Sequence, residues 1–94
     1  MQKIENDKLC KDKYGNYLYK DYNIFYNFRK FALQTKQIKF KLFINKIDIS
    51  FMDNIKDLYD IELISNMYCF KNVIDAVNFL NYLDSMILLK NLGG

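Results

Sequence analysis

Between Gly15 and Gly93 the chain contains neither glycine nor proline. These two residue types are the strongest punctuation a sequence has: glycine reaches backbone conformations closed to other residues, and proline interrupts helices and strands. A stretch lacking both carries no composition-marked linker, so residues 1–94 are read as one α+β domain. The length agrees, because dividing 94 residues would leave pieces too small to bury a core. Half the residues are hydrophobic and about a quarter charged, the balance of a folding chain.

Lys, Asn, Ile, Phe and Tyr supply 51 of the 94 residues. All five have A/T-rich codons, which points to an AT-rich genome such as that of a low-GC bacterium, its phage or its plasmid, or of an AT-rich organelle or virus. Histidine is absent, and with it the commonest general base near neutral pH and the commonest zinc ligand. Cys10 and Cys69 form no CxxC pair, so neither a disulfide framework nor a thiolate metal site is expected. Asp53, Asp57 and Asp60, with Asp48 and Glu62 nearby, could share weak Mg²⁺ binding, but a solvated acidic face is the better reading. The chain is therefore not read as an enzyme, and no metal or cofactor is assigned. Residues 73–92 are interrupted by Asp75, Asn78, Asn81, Asp84 and Ser85, against a membrane span, and the N-terminal MQKIENDKLCKDK lacks the apolar run of a secretory signal. A cytoplasmic setting without a membrane partner is the expectation.

Local patterning suggests the elements. Gly15-Asn16 suits the centre of a tight turn, predicting a hairpin at about 9–20 with strands 9–14 and 17–20. DYNIFYNFRKFALQTK alternates as a strand would, but Asp21 as N-cap and Ile24, Phe25, Phe28, Phe31 and Ala32 on one stripe favour a helix over 21–35. QIKFKLFINKIDISF alternates Ile38, Phe40, Leu42 and Ile44 on one side of Asn45-Lys46, and Ile47, Ile49 and Phe51 on the other. This predicts a hairpin over 37–51 with those residues facing the core and Lys39, Lys41, Phe43, Asp48 and Ser50 outward. Asp53 would cap a short helix, while IELISNMYCF fits helix or strand and stays open. From Asn72, an N-cap with Asp75 three residues on, an apolar stripe of Val73, Ala76, Val77, Leu80, Ile87 and Leu88 predicts a long helix over 72–92 with Gly93 as its stop.

Charge is divided unevenly along the chain. Residues 1–46 hold eleven Lys/Arg against four Asp/Glu, or +7, and residues 47–94 three against seven, or −4. The basic half is also rich in rings, with eight aromatics among residues 14–31. The phenylalanines there read as core. Tyr14, Tyr17, Tyr19, Lys20, Tyr22, Tyr26, Arg29 and Lys30, with Lys39 and Lys41, read as a partner-binding surface, because tyrosine is amphipathic and enriched at interfaces. The function these features favour is a small non-enzymatic protein that occupies a partner protein's surface. Inhibitors of host nucleic-acid-handling systems encoded by phages and mobile elements, such as anti-CRISPR proteins, are of this kind. The alternative is direct binding of RNA or single-stranded DNA, in which lysines meet phosphates and rings stack on bases. A homodimer joining basic to acidic halves is a third partner arrangement. The Leu92-Gly93-Gly94 end imitates the tail of ubiquitin-like modifiers, but a glycine after a helical stripe is the ordinary helix stop.

Overall fold

A computed structural model describes residues 8–93. The elements follow as β1 (Leu9–Lys11), β2 (Tyr17–Tyr19), β3 (Tyr22–Asn27), β4 (Lys30–Gln34), α1 (Thr35–Ile44), α2 (Ser50–Ile55), β5 (Glu62–Ile64), β6 (Met67–Phe70) and α3 (Val73–Gly93). The strands form one antiparallel sheet in the order β1-β2-β3-β4-β6-β5. The α+β class is therefore as expected, as are the N-terminal hairpin and the long C-terminal helix. The first hairpin closes through a five-residue loop, 12–16, in which the Asp12 carboxylate accepts from the Tyr14 and Asn16 amides at 2.8 and 3.0 Å. Gly15 there takes φ +90°. At the other end the Asn72 side chain accepts from the Asp75 amide at 2.9 Å, capping α3. The helix runs through Gly93, and Gly94, like residues 1–7, lies outside the described residues.

Two central elements are exchanged relative to the sequence reading. Residues 21–35, expected as a helix, are the hairpin β3–β4, whose two-residue turn is Phe28-Arg29. Both turn residues have positive φ, 50° and 64°, the type I′ geometry that suits the sheet's right-handed twist. Such turns are normally marked by Asn-Gly, so Phe-Arg hides this one. The β5–β6 turn repeats the arrangement with Ser65 and Asn66 at φ 49° and 64°, settling IELISNMYCF as a hairpin.

Residues 37–51, expected as a hairpin, contain α1 and the start of α2. Asn45-Lys46 is a helix end. Ile47 N–H donates to Leu42 C=O at 2.9 Å and Lys46 N–H to Phe43 C=O at 3.1 Å, with Lys46 at φ 58°, which is a Schellman closure with lysine in the glycine position. Of the anticipated inward row, Leu42 is buried and Ile47 and Phe51 are partly buried, but Phe40, Ile44 and Ile49 are exposed. The reason is tertiary. β6 occupies the sheet position beside β4, with Tyr68, Cys69 and Phe70 all buried, so β4 has no free edge for the segment that follows it. As a helix, α1 needs only Thr35, Ile38 and Leu42 facing inward, a 3–4–7 spacing the sequence also satisfies.

Residues paired across antiparallel strands share a face. One face carries Tyr19, Tyr22, Ile24, Leu33, Tyr68 and Phe70, and all three helices pack on it through Ile38, Leu42, Met52, Ile55, Ala76, Phe79, Leu80 and Leu83 in one continuous core. The α3 stripe thus includes Phe79 and Leu83, while Leu88 is exposed. The 20 Å thin dimension of the 41 × 38 × 20 Å molecule matches one sheet layer and one helix layer. The other face carries Leu18, Asn23, Phe25, Asn27, Lys30, Ala32, Gln34, Met67, Cys69 and Ile64, none of which belongs to that helix-side cluster, although Ala32 and Cys69 are themselves buried.

Candidate functional site: the helix-free face of the sheet

β3 changes neighbours midway: Tyr22–Ile24 pair with β2, and Phe25–Asn27 pair with β4. Side-chain amides take up the pairing that each neighbour leaves. Tyr26 N–H donates to the Asn16 side chain at 2.9 Å, and the Gln37 side chain accepts from Asn23 N–H at 3.1 Å and donates to its C=O at 3.5 Å. With its backbone held on both sides, β3 presents Phe25 outward. A groove of about 480 Å³ runs there, with the buried Ala32 and Cys69 at its floor and Phe25, Tyr26, Phe28, Lys30, Ile64 and Met67 among its walls. No residue of α1, α2 or α3 lines it. A smaller depression of about 290 Å³ continues past Phe25 and Asn16 to Leu18 and Cys10.

The groove's chemistry is mainly apolar. Lys30 is its single charged lining residue, and the Glu62 carboxylate 2.8 Å away raises its ammonium pKa. Burial, with Glu62 adding to it, pushes the Cys69 thiol pKa up, which favours the protonated thiol. Among the described residues no group of three His, Cys, Asp or Glu is placed to hold a metal ion. No helix among them is long and apolar enough to cross a membrane.

The tyrosines and basic residues picked from the sequence separate into two groups. Tyr19 and Tyr22 are 5% and 1% exposed, so their rings belong to the core and not to a contact surface. Period-two alternation turns them inward, and their hydroxyls donate at 2.8 Å to Asn81 and Asp84 of α3. Lys20 bridges the same two side chains at 3.1 and 3.0 Å. Lys41 lies over the Tyr22 ring, 4.9 Å from its centroid, and pairs with Asp21 at 3.5 Å. These four residues clamp the β2–β3 turn onto the helix layer. Lys39 is exposed on α1, also away from the groove, in a depression with Phe43, Ile47 and Ile49.

The others gather at one end of the sheet. Tyr26 lines the groove and packs on Phe31 at 5.1 Å, and Phe31 in turn meets the half-buried Tyr17 at 5.9 Å. Gly15 faces the Tyr26 ring, which places the 12–16 loop and the 72% exposed Tyr14 at that end, with the Lys13 ammonium 5.3 Å from the Tyr14 ring. Arg29 is exposed in the adjacent turn beside Phe28, which is 88% exposed. Phe25 and Phe28, assigned from the sequence to a core stripe, are therefore surface residues. Ile64, Met67 and Cys69 carried no signal as site residues at all. The period-two reading of 22–28 would have separated Tyr22 and Ile24 from Phe25, because alternate residues point to opposite faces.

A two-layer α+β protein with an open, apolar sheet face is the class these features define. No family model, curated protein or solved structure matches the chain.

Proposed function

We propose that this chain is a small non-enzymatic binding protein that acts by occupying the surface of a partner protein, and that the helix-free sheet face is the contact surface. The observation that carries this reading is the apolar groove on a face that no helix covers. A sheet with an apolar face gains by burying it, and apolar grooves commonly mark interaction sites. A composition dominated by residues with A/T-rich codons agrees with an origin in a phage or mobile element, where anti-CRISPR-like inhibitors of nucleic-acid-handling systems work by surface occupation.

The test is affinity capture from a low-GC bacterial lysate, before and after nuclease treatment, using the parent and Ile64→Lys. Ile64 is exposed beside the groove, so the substitution adds charge without emptying the core. Retention of a protein after nuclease, and its loss with Ile64→Lys, is the expected result. Capture that disappears with nuclease, or that ignores Ile64→Lys, contradicts the proposal.

Direct nucleic-acid binding is the second reading, favoured by the Lys13–Tyr14 and Lys11–Tyr17 pairs in the first hairpin, with ammonium-to-centroid distances of 5.3 and 5.9 Å. It is the weaker one, since Tyr19 and Tyr22 are buried and Lys20, Lys30 and Lys41 are ion-paired. If it holds, affinity for an oligonucleotide falls steeply, by about tenfold or more, over a few-fold rise in salt.

A further inference from the structure

We infer that the groove takes an acidic peptide segment anchored by an apolar side chain and engaged at one end by the Phe28-Arg29 turn. This rests on the protein-binding reading above and names its ligand class.

Charge supplies the first argument. No carboxylate lines the groove, and its one charged lining residue is Lys30. In the turn and the loop that adjoin the groove stand Arg29 and Lys13, neither of which has a carboxylate partner among the described residues. Asp12, the acid in that loop, has Oδ1 engaged by the Tyr14 and Asn16 amides. Glu62 lies on the same face, but its charge is met by Lys30. An incoming segment therefore meets an apolar floor and a positive rim, which complements apolar anchors flanked by Asp or Glu.

Backbone geometry supplies the second. A bulky aromatic at φ 50° followed by arginine at φ 64° is a costly way to build a type I′ turn, since side chains crowd the backbone in the left-handed region. In return the turn holds an 88% exposed ring and a guanidinium at the groove's end, where a forked donor can grip a carboxylate.

Fluorescence anisotropy with three labelled probes tests this: a peptide with a leucine-phenylalanine pair flanked by glutamates, its lysine-flanked counterpart, and an oligothymidylate. The acidic peptide alone should bind. Combining Phe28→Asn with Arg29→Gly supplies the preferred turn residues, so it should raise the urea midpoint yet weaken the acidic peptide about tenfold. A turn that was only structural would gain stability and leave binding unchanged, which would overturn the inference. So would preferential binding of the oligothymidylate, or failure of the acidic peptide to bind the parent. Equal binding of both peptides, lost in Ile64→Lys, would remove the acidic preference and leave the protein-binding reading standing. Indifference of bound peptide to Ile64→Lys would remove both.

Discussion

Lys46 closes α1 at φ 58° in the position where helices most often place glycine. Its Cβ crowds the backbone there, and the two Schellman hydrogen bonds compensate. Lys46→Gly is expected to raise stability by about 1 kcal/mol, read as a higher urea midpoint at unchanged slope. Tyr22 makes a different residue-scale prediction. Burial, the hydrogen bond to Asp84 and the charges of Asp84 and Asp21 push its phenol pKa far above the ordinary value of 10.0. The unfolded chain therefore loses this proton near pH 10 while the folded chain keeps it, so stability is full below that pH and falls as pH rises above it. Tyr22→Phe should lower stability by about 1 kcal/mol at neutral pH and flatten the alkaline decline, measured as urea midpoints at about pH 8 and pH 10.5.

Elements that are amphipathic at only one period were readable in the sequence, and those amphipathic at two were not. α3 has a cap and a helical stripe that no strand register matches, so its start at Val73 falls within one residue of the expectation. Residues 22–34 and 35–44 each fit both periods, and what separates them is which one finds a neighbouring strand. β4 pairs with β3 on one side and β6 on the other, and the next segment leaves as α1 directly from Gln34. The helix repays the sheet through Gln37, whose side-chain amide satisfies both Asn23 backbone groups where β4 no longer reaches β3. Gln37→Ala should cost about 1 kcal/mol and speed exchange of the Asn23 amide in a hydrogen-exchange measurement, while Lys36→Ala, on the exposed side of α1, should do neither.

In the whole molecule, the core lies on one side of one sheet, so stability rests on the helix-covered face and the proposed contact surface is the other one. Phe79 is fully buried between the Tyr59 and Phe70 rings, at 6.0 and 5.7 Å. Phe79→Ala is expected to cost about 3–5 kcal/mol, a large share of what a domain this small possesses, and to lower the melting temperature sharply. Leu18 on the open face is half-exposed and outside the core, and Leu18→Ala should leave the melting temperature nearly unchanged. Of the candidate site, the tyrosine and basic content of residues 14–30 was legible, but its direction was not. A strand shows alternate residues to opposite sides, and nothing local says which side the helices will cover.

The sequence by itself determined the α+β class, the hairpin that begins at Leu9, the capped C-terminal helix and a basic, ring-rich first half. Each depends on interactions within a few residues or on composition, which act before any tertiary contact forms. Only the tertiary structure decided that residues 22–34 pair as strands, that 35–44 coil beside them, and that Tyr19 and Tyr22 turn inward while Phe25 and Phe28 stay outside. With no glycine or proline between residues 16 and 92, the three two-residue turns place Lys20, Phe28, Arg29, Ser65 and Asn66 at positive φ, without the residue that usually announces such turns. Strand pairing and burial of the core supply the free energy that holds them there.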